Sequence, residues 1–440
     1  MSKKPHLGLG THAREQLVKR FLNRKTEATA STVFGGNSAY LDIPEAFCQW
    51  NRHPGYEKLL VPRAAAQRLR IANPFFKTHE GMGGATTQIG GRSYINFSHY
   101  NYLGLSGHPR VNQAAKNAID HYGTTVSASR LVAGERPIQR ELEEALAAFY
   151  EVEDCVVFVS GHATNVSTIG YLFGPKDLVV HDSLIHNSVI EGIQLSGAAR
   201  RSFPHNDPVA LDALLQEIRG QFERTLIVIE GLYSMDGDIP DLPRFVDIKQ
   251  RHKAFLMVDE AHSLGVLGKT GRGIREHCQV SGPVVDIWMG TLSKSLASCG
   301  GYIAGERALI ENLKYAAPGF VYSVGIAPVL AAAALAALRI LEEEPERVER
   351  LHARAHRFLT QAQDQGIDTG LSQGYAVIPA LAGGSIKATQ WSNKLFDQGI
   401  NVQPILYPAV EEKMARLRFF LSSLHTDTQI DTTIQTLSAL

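Results

Sequence analysis

Between residues 155 and 305 the chain alternates short apolar runs with mixed, helix-like stretches. The runs are CVVFVS (155–160), DLVVHD (177–182), ARRSFPH (199–205), TLIVIEG (225–231), AFLMVDE (254–260), DIWMGT (286–291) and GGYIAG (300–305). Most are continuous rather than alternating, and rich in β-branched residues. That is the pattern of strands covered on both faces. Strands alternating with helices predict an α/β domain on a mainly parallel sheet. One link departs from this. Only eight residues lie between Thr291 and Gly300, whereas a parallel crossover takes about a dozen or more. The spacing therefore predicts a seven-stranded sheet with one antiparallel strand, GGYIAG.

The flanks read differently. Residues 1–85 form an amino-terminal extension, with a polar, basic helix predicted over 12–28. Residues 86–335 make the large domain. Beyond it, a charged helix (341–365), a strand YAVIPAL (375–381), a further helix and the extended NVQPILYP (401–408) predict a small α+β carboxy-terminal domain, 336–440. The apolar run 327–341 is too short to span a bilayer and predicts a buried helix.

Composition narrows the function classes. The 440 residues are 44% apolar and 20% charged, ordinary for a soluble globular protein. Basic and acidic residues balance at 44 each, so net charge gives no argument for nucleic acid or a membrane surface as partner. Cys48, Cys155, Cys278 and Cys299 lie far apart. They make neither a metal pair nor a disulfide framework, which fits a reducing cytoplasm. The first residues lack an apolar signal core.

The stretch VDEAHSLGVLGKTGRG (258–273) suggests a nucleotide hydrolase, with an acidic box and a GKT. A phosphate-binding loop is GxxxxGK[ST]. Aligning Gly268-Lys269-Thr270 with it puts Ser263 at the first glycine, and the loop follows the acidic box instead of preceding it. The ATPase reading fails on both counts.

Asp259 still ends a strand, where ligand sites of α/β sheets lie, and Lys294 follows the next strand. Together they suggest pyridoxal phosphate (PLP). That cofactor takes a lysine for the Schiff base, an anionic partner for its pyridine nitrogen, and a helix N-terminus for its phosphate. Asp259 is the candidate for the pyridine nitrogen, and His262 for the ring oxygen, with Ser234. His186 is the candidate to stack on the ring. Ser160, Gly161, His162 and Ala163 form the candidate phosphate turn, and Thr291 and Ser293 flank Lys294. Each feature alone has an ordinary structural explanation; their recurrence at successive strand ends is the specific signal.

The segments YNYLGLSGHP, SGHATN, DSLIHNS, HND, EGLYSMDGD, VDEAHSLGVLGKTGRG, GTLSKSLASCGGYIAG and ARLRFFLSSLHT resemble the α-oxoamine synthases, PLP enzymes of fold type I. The resemblance runs from about 90 to the carboxy terminus. It is nearest to serine palmitoyltransferase-like members and to those attached to polyketide synthases. It implies a homodimer and a decarboxylative Claisen condensation of serine, alanine or glycine with an acyl thioester, carried by an acyl carrier protein or CoA. The products are an α-amino ketone and carbon dioxide, and no metal is needed. In this scheme Lys294 removes the Cα proton, and His186 assists the thioester carbonyl. Arg416 pairs with the substrate carboxylate, and Arg418, two positions on in the same segment, is the alternative. Tyr100 and Asn101 are implied substrate contacts, and Ser323 a phosphate contact from the neighbouring subunit. Departures from the family pattern are Thr124, Gln139, Val324, Gly325 and His162. A serine palmitoyltransferase proper using long-chain acyl-CoA is the alternative activity. A non-catalytic partner subunit is the other, and Lys294, Asp259 and His186 argue against it.

Overall fold

A computed structural model describes residues 43–68 and 70–440. The helix predicted over 12–28 lies outside the described residues. The chain divides into two compact units, Met1–Arg70 and Ile71–Leu440. The described part of the first holds the helix Pro54–Arg68, preceded by short turns of 3-10 helix. The predicted 1–85 extension is thus split, and residues 71–85 run with the second unit.

The second unit opens with the hairpin β1 (Thr86–Ile89) and β2 (Arg92–Asn96). Seven strands then make the main sheet: β3 (Asp154–Phe158), β4 (Leu178–Asp182), β5 (Ala199–Phe203), β6 (Thr225–Glu230), β7 (Phe255–Asp259), β8 (Ile287–Thr291) and β9 (Gly301–Gly305). Their order is β3-β9-β8-β7-β6-β4-β5. β9 is antiparallel to both β3 and β8, and every other pairing is parallel. The short 292–299 link therefore does what its length demands. Strands β3, β4, β6, β8 and β9 are buried along their whole length, as continuous apolar runs require.

The run at 327–341 is the helix Pro328–Glu343, buried from Ala331 to Leu335 and again from Ala337 to Leu338 and Ile340 to Leu341. It crosses the expected 335/336 boundary without a break. A second helix, Glu346–Asp364, follows it. The remaining strands are β10 (Val377–Leu381), β11 (Ile400–Asn401), β12 (Pro404–Ile405) and β13 (Arg416–Phe420). NVQPILYP does not form one strand. β11 joins β2, while β12 joins β13 in a different sheet. Pro404 has no N–H for a ladder and begins the short edge strand β12, so the segment breaks there.

The glycine-rich loop after β7 folds around side chains of its own chain. Gly268, Gly271 and Gly273 all adopt positive φ. The Glu276 carboxylate accepts the N–H groups of Thr270 and Arg272 and the Thr270 hydroxyl. The anion that GKTGRG wraps is thus an internal carboxylate, not a phosphate. Glu260, which is fully buried, accepts the N–H of Ile274. A Cβ at Gly273 would lie 1.7 Å from its Oε2.

Candidate active site

The carboxyl ends of β3, β4, β6, β7 and β8 open on one side of the sheet, and a cavity with about 420 Å³ of empty space lies there. Lys294 enters it from the turn between β8 and β9, and Asp259 and Glu230 from the ends of β7 and β6. His262, Ser234 and Thr291 complete the floor, and Gly161, His162 and His186 the rim. Five separate segments converge because each sits at a strand end.

Asp259 is 4% exposed, and each of its oxygens has a donor. Asn165 Nδ2 reaches Oδ2 at 3.0 Å, and the N–H of Ala261 reaches Oδ1 at 2.9 Å. Asn165 also donates to Ser188 Oγ at 2.9 Å, which lies 2.8 Å from His186 Nδ1. A polar chain therefore links Asp259 to the histidine at the rim. His262 is buried, and its Nδ1 lies 2.8 Å from the Tyr102 hydroxyl. Burial, reinforced by the nearby Lys294 charge, pushes its pKa well below the ordinary histidine value. The imidazole is neutral, so one ring nitrogen donates and the other accepts. Burial lowers the Lys294 ammonium to about 8, against the opposing pull of Asp259 and Glu230. A lysine in that range can take up a proton near neutrality.

Ser160 caps the helix Gly161–Leu172, and its Oγ accepts the Ala163 N–H at 3.3 Å. The first-turn N–H groups of Gly161 and His162 point out of the helix, as at any helix start. A Cβ at Gly161 would meet Thr291 Oγ1 at 2.9 Å, so the turn presses directly against β8. The Ser234 hydroxyl has no protein partner among the described residues.

The sequence profile described as Aminotransferase class I and II matches residues 92–437. The chain belongs to that family. The 8-amino-7-oxononanoate synthase of Symbiobacterium thermophilum is 41% identical over 343 residues, covering 78% of this chain and 87% of that protein. The one from Fervidobacterium nodosum is 41% identical over 358 residues, covering 81% and 90%. Among solved structures, serine palmitoyltransferase of Sphingomonas wittichii superposes with a TM-score of 0.84 at 28% identity, covering 88% of this chain and 97% of that one. Both kinds of relative are α-oxoamine synthases. This family member is a PLP-dependent acyltransferase of the α-oxoamine synthase type, on fold type I. The cavity fits that cofactor. It offers a lysine of lowered pKa, a buried carboxylate fixed by two donors, and a glycine-faced helix start.

Four expected contacts sit elsewhere. Arg416 is 3% exposed and bound to Asp236, with Nη1 2.5 Å from Oδ1, and it also donates to the Met235 and Met414 carbonyls. Its fork is occupied, so it is not free for a substrate carboxylate. Arg418, two positions along β13 on the same face, donates only one nitrogen to protein oxygen, at Ser234 O, and its buried Nε has no partner among the described residues. Its charge acts on both His262 and Lys294. Asn101 is likewise occupied: its amide donates to Gly83 O at 2.8 Å and accepts the Ser106 N–H at 3.1 Å. Ser323 lines a separate crevice with Arg130 and Phe320. Ser293 is exposed beside the cavity, where its Oγ faces Gly300 O. Tyr100, by contrast, stands over the cavity, with Lys294 Nζ 5.4 Å from its ring centre and Phe420 edge-on at 4.8 Å.

Sequence reasoning missed Glu230, Asn165, Ser188 and Tyr102 as parts of the site. Glu230 carried a usable signal, since it ends an apolar strand as Asp259 does.

Proposed function

We propose that this chain condenses a small amino acid, among serine, alanine and glycine, with an acyl thioester delivered by an acyl carrier protein, losing carbon dioxide and giving an α-amino ketone. The observation that carries this is the convergence of Lys294, Asp259 and His262 on one cavity, with the latter two held by fixed partners. Bound there, PLP supplies an electron sink for the amino acid Cα.

The residues divide the remaining work. Lys294 Nζ takes the proton from Cα, which its lowered pKa of about 8 permits near neutrality. Asp259, an anion with two donors, keeps the proton on the pyridine nitrogen. His262, oriented by Tyr102, donates to the ring oxygen, with Ser234 beside it. His186 stacks on the ring from the rim. The turn Ser160–Ala163 and Thr291 hold the phosphate. Arg418, in place of Arg416, pairs with the substrate carboxylate through its fork. Ser323 serves the site of a second copy in a homodimer.

A test is direct. Wild-type protein incubated with PLP should show a visible absorption band and thioester-dependent carbon dioxide release. Lys294→Ala should lose both, and full turnover in that variant would refute the role. Carrier use predicts poor turnover with acyl-CoA and rescue by acyl carrier protein. If the basic helix predicted over 12–28 docks an acidic carrier by charge, deleting residues 1–70 should lower the carrier-dependent rate, and no change would refute that docking. The likeness to serine palmitoyltransferase structures favours a second reading, serine with long-chain acyl-CoA. Efficient turnover of that pair alone would select it.

A further inference from the structure

Glu230 ends β6 directly opposite Asp259 of β7. Residues paired in register on neighbouring strands present their side chains to the same face. Both line the cavity with Lys294, and they are 3% and 4% exposed. Two carboxyl groups placed side by side away from water do not both ionise readily. The donors decide which one does. Asp259 receives two N–H groups, one on each oxygen. Glu230 receives one, from the Ser234 backbone to Oε2 at 3.0 Å. Its Oε1 is buried and has no partner among the described residues.

We propose that Glu230 is a positioning residue of this site, a neutral carboxylic acid that anchors the Ser234 turn and leaves the negative charge of the cavity floor on Asp259. The inference rests on the cofactor reading above. A protonated Glu230 retains an O–H to donate into the cavity and an oxygen to hold Ser234. An ionised one would compete with Asp259 for every nearby proton. Burial, with the Asp259 charge second, raises the Glu230 pKa to about 8, in keeping with this arrangement. Lys294 and Asp182 are the other charged groups acting on it.

The first test uses protein without cofactor, so its failure is separate from failure of the PLP reading, which a missing visible band would show. Infrared difference spectra of wild type against Glu230→Gln are recorded between pH 4.5 and about 8, the interval in which Glu230 is neutral folded and ionised unfolded. The expected result is a carboxylic-acid carbonyl band present in wild type only, fading as pH rises through about 8. Glu260, a second buried carboxyl raised to about 8, is common to both proteins and cancels. The second test compares side chains in the loaded enzyme. Glu230→Ala should lower kcat/KM about tenfold or more, and Glu230→Gln, which keeps the acceptor for Ser234 and no charge, should recover most of that loss. A difference spectrum with only carboxylate bands in that interval overturns the proposal, as does a glutamine variant as impaired as the alanine one. If the alanine chain does not fold, the infrared result decides alone.

Discussion

His205 holds together two loops that supply the cavity. Its Nδ1 lies 2.9 Å from Asp182 Oδ1 and its Nε2 2.9 Å from Asp238 Oδ2. Asp182 precedes the loop to His186, and Asp238 closes the turn containing Ser234. Burial works against charge on this ring, but the hydrogen bonds it donates to both carboxylates outweigh it and raise its pKa from 6.5 to about 10. A raised folded-state pKa means that the stabilisation is complete below 6.5 and is lost as pH climbs through about 10. At about 1.4 kcal/mol per pH unit, that interval has a ceiling of about 5 kcal/mol. The His205 side chain is 14% exposed. Screening by the water that reaches it brings the expected figure to about 2–3 kcal/mol. For a chain of this size that is roughly 2–3 °C in melting temperature. The assay is thermal unfolding of wild type and His205→Gln across the interval from pH 6.5 to about 10. The gap between the two proteins should be widest at the acid end and close towards the alkaline end. Comparing the two removes the pH response of Glu230 and Glu260, which both share. A gap that stays constant across the interval would refute the clamp.

Four other outcomes follow from the geometry. Arg418→Lys should weaken amino-acid binding about tenfold to a hundredfold through loss of the bidentate fork, read as a spectral titration. Arg416→Leu should instead cost about 3–5 kcal/mol of stability, because Asp236 is left buried without its cation; the reverse pair of results would restore Arg416 to the substrate. Tyr102→Phe should reduce kcat roughly fivefold, since His262 loses its orienting hydroxyl at a cost of about 1 kcal/mol, with a melting temperature lower by only about 1 °C. Gly273→Ala should destabilise by about 2 kcal/mol or more, because the new Cβ meets Glu260 at a positive φ; a thermal melt reports it.

The sheet was legible because buried parallel strands have a local signature, and because the length of the 292–299 link excludes a crossover. Lys294, Asp259 and His262 were legible because strand ends in such sheets share one side. Arg416 and Arg418 show the boundary of this reasoning. Two positions apart on one strand, they share a face, so only the partner separates them: Asp236, 180 positions earlier, occupies Arg416. Asn101 failed for a related reason. A buried amide can bind a ligand or brace a turn, and the partner atom at Gly83 is what distinguishes them. Asn165 and Tyr102 act through Asp259 and His262, so nothing in their own neighbourhood marks them.

The reversed strand β9 also has a kinetic consequence. β3 pairs with β9 alone, and Asp154 lies opposite Gly305. The turn at 160–163, directly after β3, therefore acquires its sheet neighbour only after about 150 residues have been enclosed. Closing so distant a contact is slow compared with forming helices. During synthesis the turn at 160–163 leaves the ribosome well before the strand that seats it. Uptake of the cofactor then reports completion of the fold, and on refolding the visible band should return after the helical signal has recovered.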